Sequence, residues 1–207
     1  MKIIKMLLCF LAVSTGPFLQ AADDANAIAT TLADQVTKKD GRNWKLAYQA
    51  KNDNMEVKQY TLENETPDNW TELFNVHAFS GITLELDKYE EAFVTQLQKV
   101  LPDNKIQHKV IKSEPNSVLG EWWIDDKTPN DQHEIFRVMS NGQDIVVLRY
   151  TTRKAGDLAT KDIDKWQNIL MSVELPKSTA PATTTTPTAT PTTTPATQEN
   201  AEPAISK

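Results

Sequence analysis

Apolar and polar residues alternate along this chain with two periods, and the switches between them mark out its elements. From Asp24 to Lys39, Ile28, Leu32 and Val36 recur every four positions with alanines between them, which predicts a helix closed by Lys38, Lys39 and Gly41. From Trp44 to Ala50, and again from Glu56 to Leu62, the period falls to two, and Asn52-Asp53-Asn54 supplies the turn of a hairpin. Thr66-Pro67-Asp68 predicts a single helical turn with Thr66 as N-cap, followed by a strand with Trp70, Phe74, Val76 and Ala78 on one face. Asp87 to Leu101 predicts a helix. Asp87 and Glu90 have capping-box spacing, Tyr89, Phe93, Leu97, Val100 and Leu101 form the stripe, and Pro102 ends it. Lys105 to Lys112 reads as a strand with Ile106 and Val110 on one side, and Ala159 to Val173 as a last helix with Ile163, Trp166 and Leu170 in line.

The strongest pattern lies between Ser117 and Arg153, where Asn141-Gly142 separates two alternating runs and Trp122-Trp123 stands just upstream. If Asn141-Gly142 is a two-residue type I′ turn, Phe136 faces Val147, Val138 faces Ile145 and Glu134 faces Arg149 on one side of the sheet. Ile135 with Leu148, and His133 with Tyr150, then fall on the other. Large apolar groups on both sides need cover on both sides. The expectation is an α+β domain: an antiparallel sheet of about seven strands with helices on both faces, in the order α-βββ-α-ββββ-α.

The two ends change where that fold begins and stops. Lys2 and Lys5, an apolar run from Met6 to Val13 and Ala21-Ala22 have the order of a secretory signal, too short to span a bilayer. Residues 1–21 are therefore read as a signal peptide, which makes the protein periplasmic or secreted and leaves no transmembrane segment. Cys9 lies inside the apolar run without a small residue before it, which argues against lipidation; no cysteine remains after cleavage, so no disulfide holds the domain. The net charge of −6 becomes −8 once Lys2 and Lys5 are gone, and that sign argues against nucleic acid and anionic lipid as partners. Residues 177–207, nearly all Thr, Pro and Ala at first, have too little apolar surface to fold and are read as a disordered tail. One domain, 22–176, lies between.

A signal peptide, a strand meander, a helix, further antiparallel strands and a closing Trp-bearing helix together resemble the PsbP/Mog1-like α/β/α sandwich of small exported proteins. Glu65-Thr-Pro-Asp-Asn-Trp70-Thr-Glu is similar to a segment found in exported proteins of gram-negative bacteria. The resemblance spans about Trp44 to Val173, supplies no catalytic residue, and implies a binding or accessory role.

Candidate chemistry is sparse. Asp125, Asp126, Thr128, Asn130 and Asp131 are rich in oxygen donors, yet Asp131 stands where a calcium loop needs Gly and Arg137 where it needs a bidentate Glu. His133 sits beside Glu134, but neighbours in a strand face opposite sides. His77 and His108 have no ligand-like spacing. There is no Gly-x-Ser-x-Gly, no His-Glu-x-x-His and no phosphate-cradling glycine loop, so no cofactor is expected. Six aromatics, Trp44, Tyr60, Trp70, Trp122, Trp123 and Trp166, suit core or cleft, with one of Trp122 and Trp123 expected at the surface.

The leading expectation is a non-catalytic exported protein binding an apolar or peptide ligand, or a protein partner, through Trp70, Trp122, Trp123 and Tyr150. Two alternatives stand beside it. One is a secreted hydrolase or metal-dependent enzyme using Asp125, Asp126, Asp131 and His133; the other is a secreted effector acting on a partner protein.

Overall fold

The computed structural model describes residues 21–124, 131–153 and 160–176. They form helix α1 (Ala21–Asp40), strands β1 (Trp44–Lys51), β2 (Met55–Leu62) and β3 (Glu72–Ser80), helix α2 (Tyr89–Val100), strands β4 (Ile106–Glu114), β5 (Ser117–Ile124), β6 (Gln132–Ser140) and β7 (Asp144–Arg153), and helix α3 (Thr160–Met171). The fold is α+β. All seven strands join one antiparallel sheet in the order β1-β2-β3-β7-β6-β5-β4. The chain lays down three strands, crosses through α2 to the far edge, and returns strand by strand until β7 meets β3.

Alternate residues of each strand divide the core. Phe74, Val76, Ala78, Leu119, Ile135, Met139, Val146, Leu148 and Tyr150 pack with Leu32 and Val36 of α1 and with Trp166 and Leu170 of α3. The residues between them face the other way. Phe79, Val118, Val138, Ile145 and Val147 pack with Ile82 and Leu86, and Trp122, Ile124 and Phe136 pack with Leu97 of α2. α1 buries Ala25, Ala29 and Ala33 beside Leu32 and Val36, and these small side chains let it approach the sheet closely. α3 ends on Arg137 of β6, whose guanidinium donates to Leu170 O at 2.7 Å, Met171 O at 3.1 Å and Val173 O at 2.8 Å, and also to Ser117 Oγ at 2.8 Å. One buried cation thus satisfies carbonyls that the helix C-terminus leaves open.

Several local expectations give way. The β6–β7 connection is longer than two residues, and Ser140 pairs with Ile145. The Asn141 side chain accepts from the amides of Gln143 (3.0 Å) and Asp144 (2.8 Å), which widens the turn, while Gly142 takes φ +88°. The register therefore slides by two: Phe136 faces Arg149, Val138 faces Val147 and Glu134 faces Thr151. A slide of two keeps every residue on its expected face. Thr66 to Asn69 is no helical turn but a tight bend closed by reciprocal backbone bonds, and β3 starts only at Glu72. Asp87 does not cap α2; it lies in a 3₁₀ turn (Leu86–Lys88), and α2 starts after Lys88 with no side-chain cap.

Both edge strands carry a bulge. In β4 it falls between Val110 and Lys112. In β1 it falls at Ala47, so that Leu46 pairs with Tyr60 and Tyr48 with Gln59. Two residues that plain alternation would put on one face are sent to opposite faces.

Candidate functional site

The four aromatics expected at a common ligand surface do not meet. Tyr150 lies with α1 and α3, stacked on Trp166 at 3.8 Å, and its hydroxyl donates to Glu72 Oε2 at 2.6 Å. Trp122 is buried on the opposite face and donates its indole N–H to Glu134 Oε1 at 2.9 Å. Trp70 precedes β3, buried beneath the guanidinium of Arg153, which is 4.3 Å from its ring centroid. Trp123 alone stays half-buried, 5.7 Å from the ring of His133.

Of the acidic corner, Asp131 and His133 are described. Asp125 and Asp126 lie outside the described residues. Among those that are described, no three His, Cys, Asp or Glu side chains gather as a metal site. His133 and Glu134 point to opposite faces: His133 Nε2 is 3.3 Å from Glu121 Oε2, and Lys109 reaches the other oxygen of Glu121 at 2.8 Å. Burial works to raise the Glu121 pKa, but His133 and Lys109 more than offset it and hold the carboxyl below its ordinary value.

A second ionic cluster ties the N-terminal half together. Arg42 makes a bidentate pair with Glu72 at 2.8 Å and bonds Asp40 Oδ2 at 2.8 Å, while Lys165 of α3 reaches Asp40 Oδ1 at 2.6 Å and Trp44 donates to Asp40 at 2.7 Å. Against the raising effect of burial, these donors lower the Asp40 pKa. Its members hold one another, which is the signature of a clamp between α1, β1, β3 and α3.

What remains on the α2 side of the sheet is a belt of polar residues where the centre of a sheet is ordinarily apolar. Tyr48, Gln59, Asn75 and Arg149 stand side by side across β1, β2, β3 and β7. His77 lies two residues beyond Asn75, and Thr61 and Thr151 flank the row on the other side. At one end Tyr48 is 41% exposed, aimed to this face by the Ala47 bulge. At the other, Arg149 lies 4.1 Å from the centroid of Phe93, which stacks nearly parallel to Tyr89; both rings are half-buried. Arg149 Nε donates to Glu134 Oε1 at 2.7 Å, Nη2 lies 2.7 Å from the same oxygen, and Thr151 donates to Glu134 Oε2 at 2.9 Å. Burial and the Arg149 charge push His77 down to about 3, so it is neutral at physiological pH. Gln59 is 7% exposed and its Oε1 has no hydrogen-bond partner among the described residues. An acceptor left in that state costs about 1–3 kcal/mol.

Sequence reasoning missed this belt because each member is unremarkable alone. The available signal was polar residues at period two inside an apolar strand, Asn75 and His77 in Leu-Phe-Asn-Val-His-Ala-Phe.

No curated protein and no solved structure matches the chain. A family model matches residues 34–177, from within α1 to just past α3, and the chain belongs to that family.

Proposed function

We propose that the protein is an exported, non-catalytic binding protein whose ligand lies across the row Tyr48, Gln59, Asn75 and Arg149. The observation that carries this reading is the row itself: planar polar side chains sharing one sheet face, an acceptor without a partner, and an aromatic at the solvent end. Ligand sites characteristically combine apolar or aromatic walls with a few convergent polar groups. Helices cover both faces in this reading, α1 and α3 on one and α2 on the other, which is the layered sandwich that the PsbP/Mog1-like resemblance implies. Residues 1–21 act as the export signal and residues 177–207 as a spacer.

Two experiments test the reading. Intact-mass analysis of protein recovered outside the cytoplasm should give a chain starting at Ala22; recovery of Met1-initiated protein from the cytoplasm alone would defeat export. A screen following tryptophan fluorescence against glycans, lipids and peptides should find a ligand whose effect disappears in Asn75→Ala, and a ligand indifferent to that change would place binding elsewhere.

A further inference from the structure

We propose that the ligand of this row is an uncharged carbohydrate longer than a single sugar; the inference rests on the binding function above and gives it a chemical class. Charge is the first argument. Arg149 is the row's only cation and Glu134 balances its charge inside the protein, with Nε and Nη2 both 2.7 Å from one carboxylate oxygen; only Nε hydrogen-bonds to it, and Nη2, like Gln59 Oε1, has no hydrogen-bond partner among the described residues. Both oxygens of Glu134 are in turn engaged, by Trp122, Arg149 and Thr151. An anionic ligand finds the row's one positive charge already balanced and a cationic one finds no open carboxylate, while the spare Nη2 donor suits a neutral acceptor such as a hydroxyl oxygen.

The functional groups are the second argument. Gln59 and Asn75 are carboxamides, each both donor and acceptor. A sugar hydroxyl also donates and accepts, and Gln59 Oε1 needs a donor that no described residue supplies. An acyl chain would leave Gln59 Oε1 and Arg149 Nη2 without partners, which argues against lipid on the same ground.

Shape is the third. Tyr48 offers an exposed flat ring at the open β1 edge, where the C–H face of a pyranose can rest. From there the row runs inward across three strand spacings of about 4.8 Å, about 14 Å in all, through Gln59 and Asn75, each 7% exposed, to Arg149 at 3%, so the ligand meets the row from the Tyr48 edge. The Tyr89–Phe93 pair bounds the far end.

The test is amide NMR of the full chain titrated separately with maltose, cellobiose, N,N′-diacetylchitobiose, glucose 6-phosphate and a capped neutral dipeptide. At least one disaccharide should shift the side-chain amides of Gln59 and Asn75. Tyr48→Ala, at an exposed edge position, should keep the native spectrum and weaken that binding about tenfold, the loss of roughly one good contact. Asn75→Ala should weaken it at least as much. If the phosphate or the dipeptide moves these amides and no disaccharide does, the carbohydrate class is wrong and the binding row stands. If no probe moves them, the row is not a binding site and both conclusions fall. Saccharide binding that is unchanged in both variants would likewise remove the row from the account.

Discussion

Acid should weaken this protein well above the pH at which carboxylates titrate, and His77 is the reason. Its pKa falls from the ordinary 6.5 to about 3 because burial and the neighbouring Arg149 both oppose its protonation. The sign follows directly. Below pH 6.5 the unfolded chain takes up a proton that the folded one resists, so stability is intact above that pH and is lost progressively as pH falls toward 3. Each unit within that window costs about 1.4 kcal/mol, which sets a ceiling of about 5 kcal/mol over the whole span. Over the 1.5 units from pH 6.5 to 5 that slope gives a ceiling of about 2 kcal/mol; water reaching the half-buried ring reduces it, and about 1 kcal/mol is the expected loss. That is a measurable share of the roughly 5–15 kcal/mol that holds a domain together. The lowered carboxyls of Asp40 and Glu121 have ordinary values of 3.8 and 4.5, so most of their loss comes below pH 5. Urea midpoints at pH 7.5 and 5.0 for the wild type and His77→Gln are the assay. The wild type should lose about 1 kcal/mol more than the variant between the two pH values, with about 2 kcal/mol as the ceiling. Equal losses in the two proteins would show that His77 protonates freely in the folded state and would refute the reasoning.

Other changes test the packing. Gly120→Ala would set a methyl 2.5 Å from Phe136 Cζ and 3.2 Å from Lys109 O, and should cost about 1–3 kcal/mol by urea unfolding; an unchanged midpoint would mean that the Phe136 ring moves aside freely. Arg137→Met removes the donor that closes α3 and should cost about 2–4 kcal/mol, with hydrogen exchange accelerated first in residues 166–173. Uniform acceleration across the sheet would argue against a capping role. Glu134→Gln leaves Arg149 buried without its counter-charge and should cost about 3–5 kcal/mol, much of it recovered in Glu134→Gln/Arg149→Met. No recovery in the double variant would assign the loss to the Trp122 and Thr151 bonds instead.

How much of this was legible in the sequence depends on whether local chemistry decided the outcome. The helix stripes were readable because Leu32 and Val36, and Trp166 and Leu170, are all buried in one core. The opposite facing of His133 and Glu134 followed from strand geometry and survived a register error of two, because such an error changes partners without changing faces. The register itself was not readable: it turned on how the Asn141 side chain folds back on Gln143 and Asp144. The polar belt was less readable still. Gln59, Asn75 and Arg149 are neighbours only because β3 pairs with β7 across more than seventy residues of chain, and Tyr48 joins them only because Ala47 is one residue too many. The aromatic residues drew the eye to Trp70, Trp122 and Tyr150, whose polar atoms and rings are mostly committed to internal partners.

The bulges at the two borders of the sheet also bear on behaviour at high concentration. An open border is a template on which a second chain can add a strand and polymerise. Here an incoming strand would fall out of step at Ala47 on one border and at Ile111 on the other, and would meet Lys45 and Lys51, or Lys109 and Lys112, on either side of the fault. The sheet is thereby self-limiting. Deleting Ala47 would leave every other residue of β1 on its present face while straightening that border, and fibril formation by the deletion variant, rather than unfolding, is the loss to look for.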